Sequence, residues 1–333
     1  MQYRRLGTSN LKVSVLCLGT MMFGEQTSVE EAGRIVGSAR DHGINFIDTA
    51  DVYNKGQSER DLGKLLAGQR DDWIIASKLG FPMSEAVNQS RYSRRWLMRE
   101  TDAILSRLNT GFLDILYLHT DDAEENLEEA VRALGDLMTQ GKIHSFGLSN
   151  FRGWRIAEVV RLCDALGVAR PAVCQPYYNL LNRGAEVEIL PACAHYGMGV
   201  VTYSPLARGV LTGKYPPGQP PADGTRAGRG DKRILETEFR EESLHIAQQL
   251  KARCEASGIS PGAFATAWVL ANPLVSSVIA GPRVLNHMDD MYAALDVKFD
   301  RDDEAYVDAL VVPGHASTPG YHDPRYPFFG RPV

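Results

Sequence analysis

Eight short β-branched runs, each followed by a stretch of helical period, constrain this chain more than anything else in its sequence. The runs are Val15–Leu18, Asn45–Asp48, Trp73–Lys78, Leu113–His119, His144–Ser149, Ala172–Gln175, Val200–Ser204 and Ser276–Ala280. Between them apolar residues recur on one helical face, as in Val29, Ala32, Ile35, Val36 and Ala39, or Leu127, Val131, Leu134 and Met138. Ser28 with Glu31 three residues on reads as a capping box, and Gly43 stands where a C-terminal glycine belongs. Ser260-Pro261 opens a later helix that runs through Phe264, Ala267, Trp268 and Leu270. Strand and helix in alternation demand a parallel sheet with right-handed crossovers. Eight such units close naturally into an α/β (β/α)8 TIM barrel; an open doubly wound sheet is the structural rival.

The chain has 333 residues, whereas a plain barrel needs ~250. Two places hold the excess. The Gly/Pro-punctuated stretch Pro205–Arg240 follows the seventh run directly, where the active-site loops of a barrel emerge, and reads as a lid or a disordered excursion. The tail Val311–Val333, with Tyr321, Tyr326, Phe328 and Phe329, reads as an arm over the same mouth. No linker divides the sequence, so one domain, 1–333, is expected.

Composition excludes several functions. With 36 basic against 41 acidic residues the formal charge is −5, and the densest basic group, Arg91 to Arg99, is broken by Trp96, Leu97 and Met98. That is no nucleic-acid footprint. No apolar run approaches the ~18 residues of a membrane span, and Met1–Asn10 lacks the apolar core of a secretory signal. The five cysteines are widely spaced with no C-x-x-C, so neither disulfides nor a zinc site is suggested. Buried, reduced thiols in a cytoplasmic protein are the expectation. Gly197-Met-Gly199 and Gly228-Arg-Gly230 lack the third glycine of a Rossmann fingerprint. A nicotinamide cofactor, if used, is not held by that route.

The chemistry lies at the strand ends. Asp48, Lys78 and His119 each close an apolar run, and Tyr53 follows in the loop Asp51-Val-Tyr53. Singly they read as a helix cap, a solvated strand end and a satisfied core histidine. On consecutive barrel strands their side chains converge at one mouth. A tyrosine of ordinary pKa ~10 is a poor acid at neutral pH. Lys78 is expected to lower that value, Asp48 to hold the ammonium, and His119 to orient a carbonyl oxygen. Such a set protonates an oxyanion as a hydride reaches the carbon, worth ~10²–10⁴ in rate for the acid alone. A Schiff-base lyase or aldolase using Lys78 is the rival chemistry on the same barrel.

At these residues the sequence resembles the aldo-keto reductase family. The matching signatures run from Gly19-Thr-Met-Met-Phe-Gly24 through Gly43-Ile-Asn-Phe-Ile-Asp48-Thr-Ala-Asp-Val-Tyr53 with Ser58-Glu59. Ser77-Lys78, His119 with Asp122, Gly141-Lys142-Ile143 and Gly147-Leu-Ser149-Asn150 follow, and the last lies at Arg283. The resemblance implies a (β/α)8 barrel that reduces an aldehyde or ketone to an alcohol, with Tyr53 as proton donor assisted by Asp48, Lys78 and His119. It also implies an extended NADP(H) reached by Gly19, Thr20, Met21 and Asp48. Ser149, Asn150 and Gln175 match the binders of the nicotinamide carboxamide, and Tyr203 the aromatic stacked on its ring. Ser204, Pro205, Leu206, Arg208, Gly209, Leu211 and Lys214 match a phosphate-clasping loop. Ile279, Gly281, Arg283, His287 and Asp290 match the adenine end, where Arg283 suits a 2′-phosphate. Two positions depart: His287 stands for the usual Gln or Arg, and Met291 for the usual Asn. Phe23, Tyr53 and His119 are the expected substrate contacts, with Met22, Tyr92, the Pro205–Arg240 loop and the tail as further walls and Trp96 and Tyr321 as candidate aromatic contacts. The partner implied is a small carbonyl compound or sugar, bound by a monomer or a homo-oligomer. Channel β subunits share this family's fold, so a non-catalytic regulatory subunit is the second alternative.

Overall fold

The chain opens with a hairpin that its charged, short strands did not announce: β1 (Tyr3–Arg5) pairs antiparallel with β2 (Lys12–Ser14). Leu6 and Val13 of this hairpin are fully buried in a cluster with Cys17, Phe46, Ala76 and Ile115. Gly7, at φ +58°, lies so near the backbone of Gly199 that a Cβ would fall 2.3 Å from its nitrogen. Only glycine fits there. The computed structural model describes residues 1–122 and 125–327.

The eight expected runs form one closed, all-parallel barrel. Its strands are β3 (Leu16–Gly19), β4 (Phe46–Asp48), β5 (Ile74–Leu79), β6 (Leu113–Leu118), β7 (Ile143–Ser149), β8 (Val173–Gln175), β9 (Gly199–Thr202) and β10 (Ser277–Ala280), with β10 closing on β3. The seventh strand ends at Thr202: the Tyr203 N–H still keeps the ladder register on the Pro176 carbonyl, and Ser204 then turns to φ 58°. Around the strands run α1 (Val29–Asp41), α2 (Gln57–Leu65), α3 (Arg94–Leu108), α4 (Leu127–Thr139), α5 (Gly153–Leu166) and α6 (Ile189–Tyr196). Ser28 caps α1 through the Glu31 N–H, but the Glu31 carboxylate does not return the bond. It takes the Leu285 N–H at 2.7 Å and pairs with Arg34, so the capping box is half made.

By its contacts the chain gathers into two compact units. The first comprises Met1–Pro176, Glu188–Tyr203 and Pro273–Asp289 and holds the whole barrel. The second comprises Tyr177–Val187, Ser204–Asn272 and the chain from Asp290 onwards. The later helices are α7 (Lys232–Glu236), α8 (Glu241–Ala256), α9 (Pro261–Ala271), α10 (Asp289–Ala293) and α11 (Arg301–Leu310). Ala263, Ala267 and Ala294 pack together with Ile259 and Val297 in the second unit. The Pro205–Arg240 excursion is ordered by a 3-10 turn, Ala207–Thr212, and by α7. Phe328 and Phe329 of the tail lie outside the described residues. All five cysteines are free and buried. Among the described residues no helix is long and apolar enough to cross a membrane.

Candidate active site

Asp48 is the last residue of β4, and Lys78 the penultimate residue of β5. Lys78 is fully buried. Its ammonium donates to Asp48 Oδ1 at 2.5 Å, to the Thr49 carbonyl at 2.8 Å and to the Tyr53 hydroxyl at 3.1 Å. All three of its donors are used, as a cation taken out of water requires. Asp48 Oδ2 accepts the Gln175 amide at 2.7 Å. Tyr53 begins a 3-10 turn in which Asn54 and Lys55 adopt left-handed φ of 49° and 54°. The Asn54 amide donates to the carbonyls of Phe23 (2.6 Å) and Met21 (3.1 Å), so the Gly19–Gly24 segment clamps the turn that carries Tyr53. His119, one residue beyond β6, sets its ring edge-on to Tyr53 at 6.0 Å.

Burial and charge pull against each other here. Burial raises the Tyr53 phenol above its ordinary value; Lys78 pulls it down without overcoming burial, and Asp48 adds to the rise. The sequence-based expectation of a lowered phenol is therefore reversed, because desolvation of the phenolate outweighs one nearby cation that is itself shared with a carboxylate. Burial works against the Lys78 ammonium, yet Asp48 and Tyr53 outweigh it and hold the lysine charged. Asp48 is lifted by burial against the pull of Lys78 and Gln175. At neutral pH the arrangement is a neutral phenol hydrogen-bonded to a permanent cation.

The expected nicotinamide-end residues join the same network. Ser149 ends β7 and donates to the Gln175 carbonyl at 3.2 Å. Asn150, left-handed at φ 62°, donates to the His119 carbonyl at 2.9 Å and accepts the Tyr203 hydroxyl at 2.7 Å. Gly19 must be glycine: a Cβ would meet Ile279 Cγ2 at 2.5 Å. Thr20 is buried between Asp48 and Ser58, while Met21 is exposed. Ile279 sits in the barrel core, and Gly281 is open. The Arg283 carbonyl takes the Thr27 hydroxyl, and the Arg283 N–H meets His287 Nδ1.

The model of the Aldo/keto reductase family matches residues 15–312. This chain belongs to the aldo/keto reductase family. It is 37% identical over 302 residues to a probable voltage-gated potassium channel subunit beta of Arabidopsis thaliana, covering 89% of this chain and 92% of that one. It is 33% identical over 313 residues to an uncharacterized oxidoreductase of Bacillus subtilis (strain 168), covering 91% and 93%. It is 31% identical over 324 residues to L-glyceraldehyde 3-phosphate reductase of Escherichia coli O157:H7, covering 94% and 93%. The family is one of oxidoreductases that act on small carbonyl compounds with a nicotinamide cofactor.

The donor set of this aldo/keto reductase suits such a cofactor chemically. In the barrel unit, hydroxyl and amide groups (Ser149, Asn150, Gln175) match a carboxamide, the half-buried ring of Tyr203 a flat face, and the guanidinium of Arg283 a phosphate. In the second unit, Ser204, Pro205 and Leu206 lead into the turn that carries Arg208 and Gly209, at left-handed φ of 52° and 95°. Leu211, within the same turn, is buried, and Lys214 is exposed. Asp290 accepts the Ser260 hydroxyl at 2.5 Å, at the cap of α9, and Met291 is buried against Thr266.

Three residues expected to wall the pocket of the reductase are buried. Phe23 is fully buried, and its carbonyl accepts the Asn54 amide of the turn that carries Tyr53. The Tyr92 hydroxyl is spent on the Thr120 backbone, and Trp96 is buried in α3. Phe81, which sequence reasoning passed over, sets its ring 4.7 Å from that of His119. Also missed was the layer beneath Lys78. Ser77 donates to Glu59 Oε1 at 2.5 Å, and Arg107 bonds both Glu59 and Glu100. Asp51 is buried, with one oxygen on the Val52 N–H and the other without a partner. Burial first, then Glu59 and Glu100, push its carboxyl well above the usual range. Ser58-Glu59 and Ser77 stood within the recognised motifs; nothing local to them announced Arg107.

Proposed function

We propose that this aldo/keto reductase reduces an aldehyde or ketone to an alcohol with NADP(H), and that Tyr53 is the proton donor. The observation that carries the reading is the third donor of Lys78: two N–H groups are anchored on Asp48 and Thr49, and the third reaches the Tyr53 hydroxyl at 3.1 Å. Tyr53 gives its proton to the carbonyl oxygen of the substrate. Lys78 then faces a phenolate whose charge it offsets, and Asp48 keeps Lys78 in place. His119 and Tyr53, edge to face, direct the oxygen between them. When bound, the nicotinamide supplies the hydride that reaches the carbonyl carbon. Ser149, Asn150 and Gln175 would hold its carboxamide, Tyr203 its ring, Arg208 and Lys214 its phosphates, and Arg283 a 2′-phosphate, which favours NADP(H). The buried free thiols are in keeping with a cytoplasmic enzyme.

The Schiff-base alternative needs a neutral amine at Lys78, and a lysine held charged by three bonds supplies none. The likeness to potassium channel β subunits supports a regulatory role as the second reading; an intact Asp48–Tyr53–Lys78–His119 set supports turnover. NADPH oxidation against a panel of aldehydes, ketones and aldoses, with NADH in parallel, separates the two. Tyr53→Phe is expected to bind NADPH and to lose ~10²–10⁴ in kcat. Full turnover in that variant overturns the role given to Tyr53, and NADPH binding without oxidation of any panel member favours the regulatory subunit.

A further inference from the structure

The second unit contains one deeply placed charge pair, Arg208–Glu238, and a half-buried one, Arg233–Asp323, that the chemistry at Tyr53 does not call on. The Arg208 guanidinium bonds Oε1 of Glu238. Glu238 is 1% exposed and also accepts the hydroxyls of Tyr177 and Thr237. A carboxylate so deeply placed and so fully bonded does not move, and the arginine paired with it is moored from behind.

The segment that carries Glu238 is itself tied down by the tail. Arg233, in α7, makes a two-pronged bond to Asp323 at 3.1 and 2.5 Å. Arg240 lies over the Tyr321 ring at 3.6 Å and donates to the Thr318 hydroxyl at 2.8 Å. The tail therefore grips Lys232–Arg240 at two points either side of Glu238.

We infer that Glu238 and Asp323 are positioning residues for the phosphates of the cofactor: the tail clamps the Lys232–Arg240 segment, and that segment, through Glu238, fixes the aim of Arg208. The inference rests on the proposed role of Arg208 as a phosphate contact. It gives the tail a duty different from the substrate arm expected of it. A guanidinium fixed before binding loses less side-chain freedom when the anion arrives, which strengthens binding without adding a contact.

The sign of the effect distinguishes positioning from plain electrostatics. Deleting a carboxylate beside a phosphate site removes repulsion, so charge alone predicts tighter NADPH binding; loss of the mooring predicts weaker binding. The test measures NADPH affinity by fluorescence on full-length wild type, Asp323→Ala and Glu238→Gln, with thermal melts to verify folding. A rise in Kd of roughly tenfold is expected in both, within the range of ordinary coupling between sites. In Asp323→Ala, kcat at saturating NADPH and the KM for the carbonyl compound stay at wild-type values. Asp323→Ala decides the outcome if Glu238→Gln does not fold. Unchanged or tighter NADPH binding in Asp323→Ala overturns the inference, as does a raised carbonyl KM with NADPH affinity intact. A wild-type protein that does not bind NADPH overturns the cofactor reading instead.

Discussion

The two ends of β5 carry two ion pairs that look alike in their bonding, the C-terminal one buried and the N-terminal one half-buried. At the N-terminal end, Arg70 pairs with Asp114 at 2.7 Å. Its other donors reach the Trp73 carbonyl (2.7 Å), the Phe112 carbonyl (3.1 Å) and the Thr110 hydroxyl (3.0 Å), and its plane lies over the Phe112 ring at 4.1 Å. Asp114 in turn takes the Ile75 N–H at 2.8 Å. Every partner there is a backbone group, a hydroxyl of ordinary reactivity or a ring, so the pair binds the strand to its neighbours and nothing more. At the C-terminal end Lys78 is spent in the same way on Asp48 and Thr49, except that its last donor meets a phenol. Under the proposed function, that one titratable partner turns a structural cation into a chemical one. In a barrel this division follows the strand direction, the lower rim serving stability and the upper rim chemistry.

Lys78→Met tests the comparison most severely. With the cation gone, the Tyr53 phenol rises further and Asp48, already lifted by burial, takes up a proton. NADPH oxidation is expected to fall by ~10²–10⁴ in protein shown by its melt to be folded. Activity within a few-fold of wild type would mean that the two pairs do not differ in kind.

Asp114→Ala should do the reverse. It leaves the half-buried Arg70 without its carboxylate, which costs about 2 kcal/mol in denaturant unfolding, while kcat per folded molecule stays unchanged. A loss of kcat with stability intact would place chemistry at the wrong end of the strand.

The smallest effect concerns Asp51, the carboxyl in this region with no cation of its own. Because its value is raised in the folded state, the native protein keeps a proton that the unfolded chain has already released. Its contribution to stability is therefore full at low pH and declines as pH rises above the ordinary carboxylate range. Asp51→Asn should flatten the decline in melting temperature between that range and neutrality. An unaltered slope would show that Asp51 is ionised in the native state.

Much of this was legible in the sequence, and the reason is range. Strand runs, the Ser28 and Ser260 caps and the polar residues at strand ends are patterns over a few residues. In a barrel, which closes only one way, eight strand ends must share a mouth. What escaped depended on distant neighbours. Glu59 lies 18 residues from Ser77 and 48 from Arg107, so no window of sequence links them. Phe23 and Phe81 are both aromatic residues following a strand, yet one is fully buried with its carbonyl on the Asn54 amide and the other borders His119.

The sequence by itself determined the (β/α)8 barrel, the identity of the polar residues at its rim and the family to which the chain belongs. Tertiary structure alone decided that the Tyr53 phenol stands above its ordinary value, that Lys78 stays charged, that Phe23 is fully buried and that Arg208 pairs with Glu238. Those outcomes are set by desolvation and by the direction of single hydrogen bonds. Both depend on what surrounds an atom in space, which a one-dimensional pattern does not contain.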